Sequence, residues 1–385
     1  CDWSSDVCSS DLKSATTEGS TILGRLGTNL SIGIVGLPNV GKSTFFNTLT
    51  SSQIAAENYP FCTKEPNNGR VAVPDTRYEQ LVEIYNPKSR VPAYLNVTDI
   101  AGLVKGAHDG EGLGNAFLSH IKATDAIFHV VRVFKDSTIT HVEGDVDPCR
   151  DLEIIEAELR MKDESQVKGT LDALLTKIAK TKKSKPQELE AASLQKVYDW
   201  ISEGKNVRDG HWTAKDVEII NPLQLLTAKP IIYLANLSMK DFIRKKNKFL
   251  KHIMKWVKEH GNPPIIPFSA DFETQYAALD DKNAAKFLKD TGGKSQMTKI
   301  IHAGYKLLKL GHFFTSGSDE VKCWTVKQGY KAPQAAGRIH TDFERGFICA
   351  EVMNWSDFEE QGSESKCKAN GKYQKKGKDY VVKDG

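Results

Sequence analysis

The sequence predicts an α/β protein organised around a doubly wound parallel sheet, and three observations carry that expectation. Short apolar runs alternate with helical stretches from residue 30 onward: "LSIGIVG", "AYLNVTDI", "AIFHVVRVF" and, much later, "PIIYLAN" and "PIIPFSA". Each run ends in a loop carrying polar residues, as strands do when ligand groups gather beyond their carboxyl ends. A Glu-, Lys- and Leu-rich interval interrupts the alternation, and after about residue 304 the texture changes to short alternating segments around Gly-rich turns.

Taken in chain order, residues 1–29 precede the first strand and are rich in Ser, Thr, Asp and Gly, with Cys1 at the start. They have neither the basic start nor the apolar stretch of a signal peptide, and "DWSSDVCSSDL" resembles a translated sequencing-adapter read; a disordered or artefactual leader is expected. Residues 30–149 and 229–303 carry the apolar strands and form the α/β domain. Between them, in 150–228, Leu171, Leu174 and Ile178, then Leu194, Val197 and Ile201, recur at helical spacing around the polar stretch "KTKKSKPQE". An antiparallel helical hairpin inserted into the domain is expected, with two ordinary helices packed on the core as the alternative. In 304–385, "VKCWTVKQG", "RGFICAEV" and "KDYVVKDG" alternate apolar and polar residues, as strands of a small β-rich domain do.

Composition narrows the function classes. Of 385 residues 39% are apolar and 26% charged, the balance of a soluble globular protein, and no apolar run approaches the ~18–20 residues of a membrane span. No membrane partner is expected. Seven scattered cysteines, without a C-x-x-C pair or a His at ligand spacing, point to a reducing, cytoplasmic setting, with the nucleus as a second compartment. A net charge of +4 permits contact with nucleic acid without arguing for it.

"GLPNVGKS", Gly36 to Ser43, matches G-x-x-x-x-G-K-[ST] between a predicted strand and a predicted helix, the context that distinguishes a phosphate-binding loop from a chance match. Gly36 and Gly41 let the backbone curl so that successive N–H groups across Asn39, Val40, Gly41, Lys42, Ser43 and Thr44 face the phosphates. Lys42 supplies a point charge to the β/γ oxygens, and Ser43 offers its hydroxyl to Mg²⁺. Thr63, ending "NYPFCT", and Asp99, ending a buried strand and followed by Gly102, stand where a second and third Mg²⁺ contact belong. For Thr63 the alternative is a turn residue, and for Asp99 a structural cap. In "DIAGLVKG" the residue after Gly102 is Leu103, which can neither donate nor accept a hydrogen bond, so another group must handle any hydrolytic water.

"GIVGLPNVGKSTFFNTLT", "NYPFCT", "DIAGLVKGAH", "GLGNAFLSHI" and "APQAAGRIHTDFERGFICAEV" together resemble the YchF/Obg-like ATPase family of P-loop NTPases, from about residue 30 to the end of the chain. The resemblance implies a G domain, a coiled-coil insertion at 150–228 and a C-terminal TGS domain at 304–385. It also implies Mg²⁺-dependent binding and hydrolysis of ATP, and association with ribosomes. A hydrophobic residue at Leu103 follows the family type. Departures are visible as well. "NLSM" places Met239 where the family's N-x-x-E base motif is acidic, Lys64 stands where an apolar residue is usual, and the family's further strand after "DG" is lacking, so a truncated TGS domain is expected.

Guanine is selected by a carboxylate that accepts from its N1–H and exocyclic amine. With Asn236 ending a strand, Leu237 beside it and Met239 at the acidic position, ATP is expected to bind at least as well as GTP, using backbone groups near Leu237 and apolar contact from Ser269 and Ala270. His141 in "ITHVEG" resembles a family position proposed to act in hydrolysis, and a neutral imidazole can accept a water proton; a surface histidine is the alternative. His108 and His120 flank the switch as further candidates, and His129, inside an apolar strand, is expected to be packed. The basic run "SKCKANGKYQKKGKD", with Tyr373 inside it and Tyr380 beyond, faces ribosomal RNA or is simply a solvated surface. Two readings follow: a slow ATPase working as a switch, with Lys42 and His141 as catalytic candidates, or a nucleotide-gated ribosome- or RNA-binding module with negligible hydrolysis.

Overall fold

The computed structural model describes residues 23–24, 27–51, 67–102, 106, 113–180 and 184–385. Thr63, Lys64, Leu103 and His108 lie outside the described residues. In chain order the first strands are β1 (Ser31–Val35), β2 (Asn68–Ala72), β3 (Ser89–Val91), β4 (Tyr94–Asp99), β5 (Ala126–Arg132), β6 (Ile231–Asn236) and β7 (Ile265–Phe268). Four more follow: β8 (Leu310–Ser316), β9 (Glu320–Lys327), β10 (Ala350–Val352) and β11 (Gln374–Lys376). The helices needed below are α1 (Lys42–Ser51), α2 (Thr76–Tyr85), α3 (Leu113–Ala123), α4 (Pro148–Lys180) and α5 (Lys185–Ser202), then α6 (Ala214–Ile220), α7 (Met239–Arg244), α8 (Leu250–Glu259) and α9 (Ala270–Ala277).

The chain divides into two compact units, one mainly of Ser31–Gly69 and Asn96–Ile300, the other of Gly27–Leu30, Arg70–Leu95 and Ile301–Gly385. The first holds most of a six-stranded sheet in the order β2-β4-β1-β5-β6-β7, parallel from β4 through β7. All five apolar runs singled out in the sequence are strands of it. Every residue of β5 and β6 is buried, because helices cover both faces of a parallel sheet. Register pairs Ile34 with Asp99, Val35 with His129, Arg132 with Asn236, and Asn236 with Phe268. The carboxyl ends of five strands therefore meet along one edge, and the chain reverses its direction of winding at β1. Phe45 of α1 sits edge-on against Phe128 (6.2 Å) and Phe268 (5.2 Å), fixing the helix that opens after the phosphate loop.

The insertion expected at 150–228 begins as a single 33-residue helix, α4, already at Pro148, and α5 returns along it. Leu171, Leu194, Val197 and Ile201 form their shared core with Val167, Val207, Ile220 and Leu225, while Leu174 packs at the margin. The first turns of α4 bury Leu152, Ile155 and Leu159, so this half of the helix belongs to the core and only its far half forms a hairpin.

In the second unit β8 and β9 form an antiparallel hairpin with β3 added in parallel to β9, and β10 pairs antiparallel with β11. Two expectations are corrected here. The sequence predicts 30–149 as unbroken α/β domain and a boundary at 304, whereas Arg70–Leu95 belongs to the unit that resumes at Ile301. The physical reason is the apolar face of α2: Leu81 is buried with Val321, Phe358 and Cys367, and Tyr78, Val82 and Tyr85 pack around them. Second, "KDYVVKDG" contributes only an isolated bridge between Lys331 and Val381, and the strand is instead Gln374–Lys376 inside the basic run.

Candidate functional site

The phosphate loop follows β1 and needs its glycines. A Cβ on Gly36 would lie 2.4 Å from the Val130 carbonyl oxygen. Gly41 has φ +99°, and a Cβ there would meet Asn236 Nδ2 at 2.4 Å. Lys42 is buried, and its ammonium donates to the Leu37 carbonyl at 2.8 Å. Burial pulls its pKa down to about 8, against the opposing pull of the Asp99 carboxylate. A cation held that far below its ordinary value is stabilised by any anion entering the cradle.

Ser43 donates its hydroxyl to Asp99 Oδ2 at 2.9 Å, so the two residues predicted as metal contacts do meet. Asp99 Oδ1 is buried with no partner among the described residues, and burial raises the carboxyl's pKa against the Ser43 hydroxyl and the Lys42 charge. An orphaned carboxylate oxygen next to a hydroxyl is a hard-oxygen donor set, which suits a divalent cation that keeps water and phosphate as its other ligands. Among the described residues no group of three or more His, Cys, Asp or Glu is placed to hold a metal ion. Gly102 closes the cradle: a Cβ there would lie 3.0 Å from the Pro38 nitrogen and 3.2 Å from Lys42 Nζ.

Beyond β6, Asn236 ties two loops together. Its Nδ2 donates to the Val40 carbonyl at 2.9 Å, and its Oδ1 accepts from the Ala270 N–H at 3.0 Å. Leu237 is buried, with its N–H on the Phe268 carbonyl at 2.8 Å. Ser269 is buried and caps α9 by accepting from the Phe272 N–H. Met239 is the first residue of α7, whose cap is Ser238, accepting from the Asp241 N–H at 3.2 Å. Its thioether offers a guanine nothing comparable to a carboxylate. Asp241, in the first turn of α7, accepts from Asn247 Nδ2 at 2.8 Å.

His141 lies one residue from the phosphate loop's own contacts, since Asn39 Nδ2 donates to the Thr140 carbonyl at 3.1 Å. Asn39 itself is left-handed at φ 59°. The His141 ring is buried, however, and both nitrogens are engaged. Nδ1 accepts from the Glu143 N–H at 3.1 Å, which leaves Nε2 as the donor to Asp151 Oδ2 at 2.8 Å. Burial raises the Asp151 carboxyl against the pull of His141 and Arg150. His120 is exposed on α3, and His129 is buried, its ring 5.5 Å from that of Tyr233, with burial holding its pKa down near 4.

Three residues that sequence reasoning passes over organise this edge. Arg132, buried at the end of β5, donates to the carbonyls of Phe134, Asp136 and Ile139 and so shapes the loop that carries Thr140 and His141. Its signal was visible, a cation closing an otherwise apolar strand. Asp151 and Glu158 lie in the first turns of α4, and Glu158 Oε1 accepts from the Gly106 N–H at 2.6 Å, at the end of "DIAGLVKG". Their Lys- and Glu-rich surroundings gave no signal of burial.

A glycine-framed loop between strand and helix, with a buried lysine, and a serine touching a strand-end aspartate across it, defines a P-loop nucleotide-binding protein with a GTPase-type α/β domain. Residues 31–236 match the family model described as 50S ribosome-binding GTPase, and residues 310–385 match YchF-GTPase_C, described as a protein of unknown function. The chain is 56% identical over 373 residues to Obg-like ATPase 1 of Oryza sativa subsp. japonica, covering 97% of this chain and 94% of the relative. To Obg-like ATPase 1 of Homo sapiens it is 54% identical over 367 residues, covering 94% and 92%. The structure of the Schizosaccharomyces pombe YchF GTPase superposes with a TM-score of 0.88 at 49% identity, covering 95% of this chain and 98% of that one. The chain belongs to the YchF/Obg-like ATPase family.

Proposed function

We propose that the chain is a Mg²⁺-dependent NTPase that binds and slowly hydrolyses ATP, accepts GTP less well, and works as a ribosome-associated switch in the cytoplasm. The observation that carries the reading is the Ser43–Asp99 contact with its orphaned Oδ1 beside the buried Lys42 ammonium, a donor set prepared for a metal-bound triphosphate. Mg²⁺, when bound, neutralises phosphate charge and orients the terminal phosphoryl group; Ser43 and Asp99 would hold it. Lys42 attracts the β/γ oxygens, Gly102 leaves room for them, and Asn236 keeps the phosphate loop in register with the base side. Met239 in the base loop, with Asp241 bonded to Asn247, supports adenine over guanine. The relatives' name, Obg-like ATPase 1, agrees with that preference, and the description of the matching family model supports the ribosome as partner. The functional division is then a nucleotide domain that carries the helical hairpin, and a second unit that holds the TGS domain.

One observation favours the second reading, a nucleotide-gated binding module with negligible hydrolysis: His141 has no ring nitrogen to spare for water. Phosphate release from ATP and from GTP over hours, with Mg²⁺ and with chelator, tests both readings. Steady release that requires Mg²⁺ and favours ATP supports the enzyme; return of intact nucleotide selects the module. A tenfold preference for GTP overturns the base assignment.

A further inference from the structure

Along α7, α8 and the loop between them, beside the base loop, the first unit carries a long one-sided run of charge. From Phe242 to Lys258 the sequence "FIRKKNKFLKHIMKWVK" contains Arg244, Lys245, Lys246, Lys248, Lys251, Lys255 and Lys258 and no carboxylate. The fold makes a surface of it. Helix α8 buries Leu250, Ile253 and Val257 against the core and exposes Lys251, Lys255 and Lys258, one helical stripe at i, i+4 and i+7. The loop before it exposes Lys246 and Lys248, and Lys135, exposed after β5, adds a further charge from a separate segment.

Of these, Lys135, Lys246, Lys248 and Lys251, with Lys245, rim a cavity of about 580 Å³. Its walls include Val133, Phe249, Met254 and Pro267, so an apolar floor lies under a cationic edge. The Lys248 ammonium stands 4.8 Å over the Phe249 ring. Among the described residues Lys246, Lys248 and Lys251 form no salt bridge, and Asp241, the acid on the cavity wall, is bonded to Asn247.

We infer that this groove binds a single-stranded stretch of RNA, with phosphates on the Lys246, Lys248 and Lys251 rim and a base on the floor beside Phe249. Cationic tracks with an aromatic platform are how proteins hold single strands without reading sequence. A duplex would present its phosphates on a convex surface and leave the apolar floor unused. An anionic membrane is disfavoured because α8 has already committed its apolar face to the core and has none to insert. The inference rests on the ribosome-association reading only for the source of the RNA. The binding itself needs no nucleotide.

The test is fluorescence anisotropy of a labelled 12-nucleotide single-stranded RNA with the full chain, in the absence of nucleotide and ribosomes, across a salt series. The comparison variants are the triple charge reversal Lys246→Glu, Lys248→Glu, Lys251→Glu, and a second triple reversal in the C-terminal basic run, Lys375→Glu, Lys376→Glu, Lys378→Glu. All six side chains are exposed or at the surface, so the fold is expected to survive; circular dichroism checks it. Each lost phosphate contact lowers the salt slope by about 0.7, so the first triple variant should lose about 2 from that slope and at least about tenfold in affinity at moderate salt. The second should bind within about threefold of wild type, and mononucleotides should not compete. The inference is overturned if wild type fails to bind the RNA at low salt, if the first variant binds within twofold of wild type, or if only the second loses affinity. Equal affinity for anionic vesicles, or for duplex RNA, also overturns it. ATP hydrolysis followed on the same proteins separates the two readings: it fails independently of RNA binding if the nucleotide assignment is at fault.

Discussion

Replacing Lys42 with methionine is expected to make the nucleotide-free protein more stable while stripping it of nucleotide affinity. The ammonium is buried, and its pKa falls from the ordinary 10.5 to about 8 because desolvation outweighs the attraction of Asp99. Each pKa unit corresponds to about 1.4 kcal/mol, so keeping the lysine charged below pH 8 costs the folded state about 3 kcal/mol. The 2.8 Å bond to the Leu37 carbonyl returns about 1 kcal/mol of its own when lost, leaving a net gain of about 2 kcal/mol for the variant at pH 7. The sign of the pH dependence follows. Between about pH 8 and 10.5 the unfolded lysine still holds a proton that the folded one has released, so wild-type stability rises with pH across that window. Below pH 8 both states are protonated and this contribution is constant. The variant lacks the rise. Urea midpoints of the nucleotide-free proteins from pH 6.5 to 10.5 measure both the offset and the slope. Calorimetry should show Mg²⁺–ATP affinity down about 10- to 150-fold, the loss of hydrogen bonds to a charged partner. A variant less stable than wild type at pH 7, or one with the same rise above pH 8, would refute the reasoning.

Ser43→Ala and Asp99→Asn should each abolish most of the Mg²⁺-dependent part of ATP affinity, leaving binding in chelator within about threefold of wild type; an unchanged Mg²⁺ response would remove both from the metal site. Met239→Asp should shift the GTP:ATP affinity ratio toward GTP by about tenfold or more, the worth of a charged hydrogen bond, and a ratio unmoved would place base recognition elsewhere. His141→Ala should lower stability by about 1–3 kcal/mol, because the buried Asp151 carboxylate loses the donor to its Oδ2 and keeps only Arg150 on Oδ1. Its single-turnover ATP hydrolysis should stay within about twofold at matched occupancy, and a tenfold fall would return His141 to the chemistry.

What could be read from the sequence was whatever is encoded locally. The five parallel strands announce themselves as apolar runs, and the phosphate loop as a glycine spacing between strand and helix. Asp99 and Asn236 were found because strand ends are where ligand groups gather, and register then carries them to one edge. The missing parts are pairings over long separations. Nothing near Leu81 says that Val321 and Phe358 will bury it, so residues 70–95 look like ordinary α/β chain. Glu156 looks solvated among its charged neighbours, yet it is buried, accepting from the Tyr233 hydroxyl at 2.8 Å and the Arg208 guanidinium at 2.6 Å. His141 reads as a loop histidine, and only the fold brings Asp151 to its ring. The alternation in "KDYVVKDG" is a true β pattern, but partner choice gave the strand to Gln374–Lys376, opposite Ala350–Val352.

The buried carboxylates of α4 give that helix mechanical leverage. Asp151 is clamped to the loop that touches the phosphate loop, and Glu158, two turns on, is clamped to Gly106. These two grips lie about 10 Å apart along the axis, whereas the last turn at Lys180 lies about 44 Å from the first grip, at 1.5 Å per residue. Displacing one grip by 1 Å relative to the other therefore swings the far end by about 4 Å. Residues of α5 pack against the outer half of α4, so a tilt that left the helix straight would carry the hairpin's tip about four times as far as it moved one grip against the other.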